Sequence, residues 1–250
     1  MPFGICPLSV IAVRESADEN SRMVTQLLYG ELFRLIDQRK YWSKIRIPGE
    51  KREGWVKKDQ FEKLSDDDYK KLTDSGSNKY ALDLVSFVST EQGVLIPVLL
   101  GSNVSHTQVL SHSHEGTASN GEFLKTQLID TALLYLNAPE LRGGKGPFGI
   151  DSAGFTQMVY KINGVQLLRT PEEQATQGEP LSFIEESEAG DLVFFDDKEG
   201  NITHVGVIMA DNYIIHVDGK VRIDRLDHTG IFNREKRNYT HQLRVIKKIL

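Results

Sequence analysis

The chain has 250 residues and only one cysteine, Cys6. A single thiol excludes an internal disulfide and any metal site built from several thiolates. Cys6 stands in an apolar, strand-like context and reads as a packed core thiol rather than a nucleophile. Positive charge is not in excess: 30 Lys and Arg face 35 Asp and Glu, for a formal net charge of −5. This gives no electrostatic reason to expect nucleic acid as a partner. No apolar run approaches the roughly 18–20 residues that span a bilayer, so no membrane partner is expected. The start, Met1-Pro2-Phe3-Gly4-Ile5-Cys6, lacks the basic residues and apolar core of a secretory leader. The chain therefore reads as cytoplasmic, or as periplasmic if a leader has been removed. What is present is an ordinary globular composition, 39% hydrophobic and 26% charged, at a length suited to two or three small domains.

Patterning divides the chain into residues 1–63, 64–79, 80–124 and 125–250. In the first part, Val10–Val13, Leu32–Ile36, Trp42–Ile47 and Gly54–Val56 are short, regularly spaced strand candidates, the pattern of a small β-barrel. Ser65-Asp66-Asp67-Asp68 opens a polar linker ending at Ser75-Gly76-Ser77-Asn78, with a helical turn started by Ser65. In the third part, Leu82–Val88 and Val94–Leu100 read as strands joined near Gln92-Gly93. Residues 101–122 are rich in Ser, His, Asn and Gly, and the spacing of His112 and His114 suits a strand or a surface loop; no carboxylate or cysteine pattern accompanies His106, His112 and His114, so metal binding is not expected there. The last part opens with apolar residues at helical spacing from Phe123 to Leu136, stopped by Pro139. A second helix runs from Phe155 to Ile162 and closes at Asn163-Gly164. Strands follow at Leu192–Phe195, His204–Met209, Tyr213–His216 and Val221–Ile223. Helices before a run of antiparallel strands predict an α+β domain.

The chemistry-bearing residues gather in this last part. Asp151-Ser152-Ala153-Gly154 is a small-residue turn opening a helix, where the helix N-terminus stabilises developing negative charge. His204 opens one strand and His216 closes the next, the two being joined by the hairpin Ala210-Asp211-Asn212. A histidine on a facing strand can take a proton from Ser152, and a second can orient the first. No metal-ligand cluster is evident and no cofactor is expected.

Residues 129–250 resemble the NlpC-type papain-like cell-wall peptidases. The resemblance rests on Gly143-Gly144, Gly149-Ile150-Asp151, Gly154-Phe155, Gly190-Asp191-Leu192, Phe194-Phe195, His204-Val205-Gly206 and Ile215-His216, in order and at the spacing of that family. The whole chain is similar to a subgroup that places bacterial SH3-like domains before the catalytic domain. There the matching residues are Val13-Arg14, Met23 to Leu28, Gly30-Glu31 and Gly54-Trp55-Val56. The resemblance implies two small SH3-like β-barrel domains followed by an α+β papain-like domain. It also implies a γ-D-glutamyl-L-diamino acid endopeptidase acting on short muropeptides in cell-wall recycling. In that subgroup the first SH3-like domain narrows the cleft.

The departures fall where the chemistry is expected. Ser152 stands at the cysteine and Ala153 at the serine after it. Glu140 and Arg142 stand at the tyrosine and tryptophan of the pattern before Gly143-Gly144. Ser16 and Arg52 stand where a glutamate and a tyrosine would help hold the substrate's free amine. Asp151, His204 and His216 remain. A thiol near pKa 8.5 is readily held as a thiolate, whereas a serine hydroxyl needs its proton removed during attack. Three readings follow. One is a catalytically impaired homologue that binds a peptide or protein partner. Another is a hydrolase using Ser152, His204 and His216. The third is an engineered Cys-to-Ser form of an active peptidase.

Overall fold

The computed structural model describes residues 2–74, 76, 78–119 and 125–249. Ser75, Ser77 and the segment 120–124, which includes the expected helix start at Phe123, lie outside the described residues. The chain forms two compact units, residues 1–122 with 142–147, and residues 123–141 with 148–250.

The first unit is built from short strands: β1 (Phe3–Ile5), β2 (Val10–Arg14), β3 (Met23–Leu28), β4 (Leu32–Gln38), β5 (Trp42–Ile47), β6 (Arg52–Lys57) and β7 (Glu62–Leu64). They form one sheet in the order β3-β2-β6-β5-β4-β1-β7. Alternation along these strands sends Ile11, Val13, Leu27, Phe33, Leu35, Ile45, Ile47 and Val56 into one apolar cluster, which also holds Cys6. The Cys6 thiol is buried, donates to Leu8 O at 3.2 Å, and is pushed far up by burial. It is a packed core thiol, as its sequence context implies. Ser65 starts helix α1 (Asp66–Asp74), its Oγ accepting from Asp68 N at 3.0 Å.

A second sheet of this unit has the order β10-β8-β9, from β8 (Val85–Thr90), β9 (Leu95–Leu99) and β10 (His112–Glu115). Of the two conformations that the polar stretch left open, strand is found at His112 and His114. The stretch forms a 3₁₀ helix over Val104–Leu110, started by Asn103, whose side chain accepts from Ser105 N, and then β10. The three histidines here each have a packing role. His106 Nδ1 meets Gly30 O at 2.7 Å, His112 Nδ1 meets Tyr29 Oη at 2.9 Å, and His114 Nε2 meets Ser86 Oγ at 3.0 Å. The unit's last piece, β11 (Lys145–Gly146), carries Lys145 into the interior, where it is fully buried between Glu31 at 3.0 Å and Glu50 at 2.9 Å.

The second unit contains α2 (Gln127–Leu133), β12 (Gly149–Ile150), α3 (Ser152–Ile162), α4 (Pro171–Gln174) and seven strands. These are β13 (Glu179–Leu181), β14 (Leu192–Asp196), β15 (Ile202–Met209), β16 (Tyr213–Asp218), β17 (Lys220–Leu226), β18 (Gly230–Asn233) and β19 (Asn238–Lys248). The sheet runs β13-β19-β14-β15-β16-β17-β18, and β18 also pairs with β19. That extra pairing closes β14 to β19 into a six-stranded antiparallel barrel. Val193, Phe195, Ile208, Ile214, Leu226, Ile231 and Ile246 form one of its apolar clusters, and α3 packs on β15 and β16. Helix α2 is shorter than its apolar spacing predicts. Beyond Leu133 the chain tightens to three-residue bonds (Tyr135 N to Ala132 O, 3.1 Å; Leu136 N to Leu133 O, 3.1 Å). Asn137 then ends it in the left-handed region at φ 67°.

Candidate active site

Helix α3 begins where the sequence places its nucleophile turn. Asp151 is the N-cap, in extended backbone, and its Oδ1 accepts from Gly154 N at 2.7 Å. The same carboxylate is held by Arg169 through two bonds of 2.9 Å, and Arg169 is itself buried. Asp151 thus ties α3 to the segment before α4. It leaves Ser152, half-buried, as the first residue of the helix, with Ala153 buried behind it. The amides of Ser152 and Ala153 stand at the helix start, where no earlier turn supplies an acceptor.

His204 and His216 come together through the register of β15 and β16. Gly206 is directly opposite His216, and His204 is two residues along the same face of β15. A Cβ on Gly206 would lie 2.9 Å from His216 Cβ and 2.6 Å from Ile214 Cδ1. Glycine there leaves the diagonal open, and His204 Nε2 meets His216 Nδ1 at 3.0 Å. His216 Nε2 in turn meets Asp224 Oδ2 at 3.1 Å, and Arg222 on the same strand donates to that carboxylate at 2.6 Å.

These bonds order the protons. A carboxylate only accepts, so His216 donates from Nε2, and in the neutral tautomer that this bond selects its Nδ1 is the acceptor. His204 must then donate from Nε2, which leaves its own Nδ1 as the basic nitrogen. The relay Asp224–His216–His204 therefore ends in a neutral imidazole with a defined lone pair. Burial, together with His241 and His216 beside it, holds the His204 pKa well below the usual histidine value. Burial raises the Asp224 carboxyl, but hydrogen bonds from His216 and Arg222 outweigh it and the net shift is downward.

Two residues of this cluster carry no sequence signal of their own. Asp224 is two residues beyond Arg222, the register partner of His216, which brings it onto the same face. His241 lies on β19, and its ring stacks on His204 at 4.0 Å with both rings against Phe195. One nitrogen from each of His204, His216 and His241 lies within 4.8 Å of the other two. The expectation that no metal-ligand cluster exists is therefore corrected. Barrel closure, which pairs β19 with β18, brings in a histidine 25 residues after His216 in the sequence.

The other expected residues are placed separately. Glu140 is exposed and its Oε2 accepts from Gly219 N at 2.8 Å, bracing the turn between β16 and β17. Ser16, Arg52 and Arg142 belong to the first unit. Ser16 is exposed, its N–H donating to Ser21 Oγ at 2.9 Å. Arg52 is half-buried on β6 opposite Ile47, and Arg142 is exposed. Among the described residues Ser152 Oγ has no hydrogen-bond partner, His204 included.

A helix-start nucleophile turn followed by a barrel carrying paired histidines is matched by a known domain over residues 141–239. Those residues form an NlpC/P60 family domain. Residues 13–61 match the bacterial dipeptidyl-peptidase Sh3 domain. The chain is homologous to a gamma-D-glutamyl-L-lysine dipeptidyl-peptidase of Bacillus cereus, at 24% identity over 78% of this chain and 67% of that protein. It is 26% identical to the enzyme of the same name from Bacillus subtilis, over 77% of this chain and 71% of that one. Its fold is that of a crystallised NlpC/P60 family protein from Bacillus cereus, with a TM-score of 0.78, 17% identity and 99% of both chains covered. The NlpC/P60 domain and an SH3-like domain before it are thus established.

Proposed function

We propose that this protein is a catalytically impaired member of the peptidoglycan-peptide hydrolases, one that takes a short muropeptide or a protein partner without efficient turnover. The observation that carries this reading is the state of the first residue of α3. A hydroxyl stands there instead of a thiol, and it makes no bond to a base whose proton relay is otherwise fully ordered. Serine cannot be stored as an anion beside a histidine, so the whole cost of deprotonation falls on the transition state. The expected loss is several kcal/mol of transition-state stabilisation, about tenfold in rate for every 1.4 kcal/mol. The names of the Bacillus relatives support a γ-D-glutamyl peptide as the ligand class. Ala153, buried behind Ser152, further sets this helix start apart from a thiol site.

The test pairs calorimetry with chromatography on L-Ala-γ-D-Glu-diaminopimelate, with chelator present throughout. Binding without product is expected, both for the natural chain and for Ser152→Cys. Cleavage restored by that one substitution would overturn the reading and favour an engineered Cys-to-Ser form of an active peptidase.

A second reading, a serine hydrolase, is favoured by one observation. His204 is held neutral, the state a general base for a hydroxyl requires. On this reading, Ser152 attacks, His204 Nδ1 takes its proton, and the amides of Ser152 and Ala153 receive the oxyanion. Labelling of Ser152 by a fluorophosphonate probe supports it; a folded protein that stays unlabelled rejects it.

A further inference from the structure

We propose that His204, His216 and His241 bind one zinc-type divalent metal ion, and that this ion switches off His204 as a base. Among the described residues these three side chains form the cluster that places three ligating groups together, each offering one nitrogen within 4.8 Å of the others. Tetrahedral zinc with nitrogen ligands at about 2.0–2.1 Å brings those nitrogens about 3.3 Å apart. The His204 Nε2 to His216 Nδ1 pair already stands at 3.0 Å. Ligation also turns the His204 and His216 rings off their direct N–H···N line and lifts His241, which is half-buried, out of its 4.0 Å stack on His204.

The outer contacts of the rings match those of metal-bound imidazoles. A ligating histidine characteristically gives its other nitrogen to a carboxylate, backbone carbonyl or water, which fixes ring and tautomer. His216 Nε2 is on Asp224 Oδ2 at 3.1 Å, so Nδ1 faces the cluster. His241 Nδ1 is on Thr240 Oγ1 at 2.9 Å, so Nε2 is the nitrogen left for an ion. Three imidazoles without thiolate suit zinc, copper or nickel rather than magnesium or calcium, and three ligands leave a fourth position open.

The proton balance gives the consequence. Without metal, His204 carries its proton on Nε2 and offers Nδ1 as base. To ligate through Nε2 it must move that proton to Nδ1, becoming a donor toward the site. His216 and His241 keep their outer bonds. No proton is gained or lost, yet the lone pair that could activate Ser152 is gone. This second half rests on His204 being the base, as in the proposed function; the metal site itself does not.

The experiment is metal titration of the metal-free full-length protein. Calorimetry with Zn²⁺, and visible spectra with Co²⁺, should show one ion per chain and the intense bands of tetrahedral cobalt. His241→Gln should weaken binding at least about tenfold, and Asp224→Asn about 10- to 100-fold, as loss of such a supporting carboxylate does. His228→Gln, at an exposed histidine outside the cluster, should change nothing. Should the cluster variants fail to fold, nitrogen-15 NMR of the natural chain decides. Zn²⁺ should move the three ring signals together and shift the His204 proton from Nε2 to Nδ1. Absence of stoichiometric binding, or binding undiminished in folded His241→Gln, would overturn the site. Ring signals that do not move with Zn²⁺ would do the same. Metal binding with His204 still protonated on Nε2 would overturn the switch alone. None of these readings depends on peptide binding or hydrolysis, so failure of the proposed function is seen separately.

Discussion

Lys145 shows how one residue can stabilise this protein through charge that water never reaches. Its ammonium is fully buried and lies within 3.0 Å of Glu31 and 2.9 Å of Glu50. Burial alone would lower its pKa, but the two carboxylates more than compensate and hold it above the usual lysine value. Removing one partner of such a group leaves the other charge buried without compensation. Lys145→Met should therefore cost about 3–5 kcal/mol, read as a lower urea midpoint of the first unit. Nothing near residue 145 in the sequence names these partners: Glu31 is 114 residues away and Glu50 is 95. Gly206 works in the opposite sense. Its value lies in the side chain it lacks, since a Cβ there would press on His216 and Ile214.

At the scale of elements, α3 depends on Asp151 twice. The side chain caps the helix at Gly154 N and pairs with buried Arg169 at two points. Cap loss alone costs about 0.5–2 kcal/mol, and a buried guanidinium deprived of its carboxylate costs more. Asp151→Ala should thus destabilise the second unit by roughly 3 kcal/mol or more in urea unfolding. Asp151→Asn, which keeps an acceptor for the cap but not the charge, should fall between the natural chain and Asp151→Ala. The helix start was legible in the sequence as the small-residue turn Asp151-Ser152-Ala153-Gly154, whereas the cap of Asp151 on Gly154 N came from the structure. Arg169 was not legible, because its pairing is set by the path of the chain into α4. The strands β14 to β17 were likewise legible as short apolar runs separated by turns, with ends within two or three residues. Helix α2 was overread because apolar spacing does not report the tightening to three-residue bonds before Asn137.

For the whole molecule, the buried histidines couple stability to pH. His241 is lowered to about 4, first by burial and then by His216, and His204 is lowered well below its usual value. In the unfolded chain both titrate near about 6.5. Between about pH 6.5 and 4 the unfolded state therefore binds more protons than the folded state. Stability rises with pH across that window and is lost as pH falls through it. In chelator, the urea midpoint of the second unit should decline from pH 7 to pH 4.5, and His241→Gln should flatten that decline. A midpoint independent of pH in this range would mean the rings are not buried as neutral groups.

Several features follow from the sequence alone: the α+β class, the short strands of residues 1–63, the small-residue turn Asp151–Gly154 opening a helix, the presence of Ser152, and the strand positions of His204 and His216. Each is a local pattern, a period, a turn or a motif spacing, that neighbouring residues encode. The proton relay through Asp224, the arrival of His241, and the burial of Lys145 between Glu31 and Glu50 were decided by the tertiary structure. They arise from strand register, from the closure of β18 onto β19, and from the return of residues 142–147 to the first unit. Side chains distant in sequence are paired by those long-range contacts, and burial then gives their charges and protons a strength that no local pattern carries.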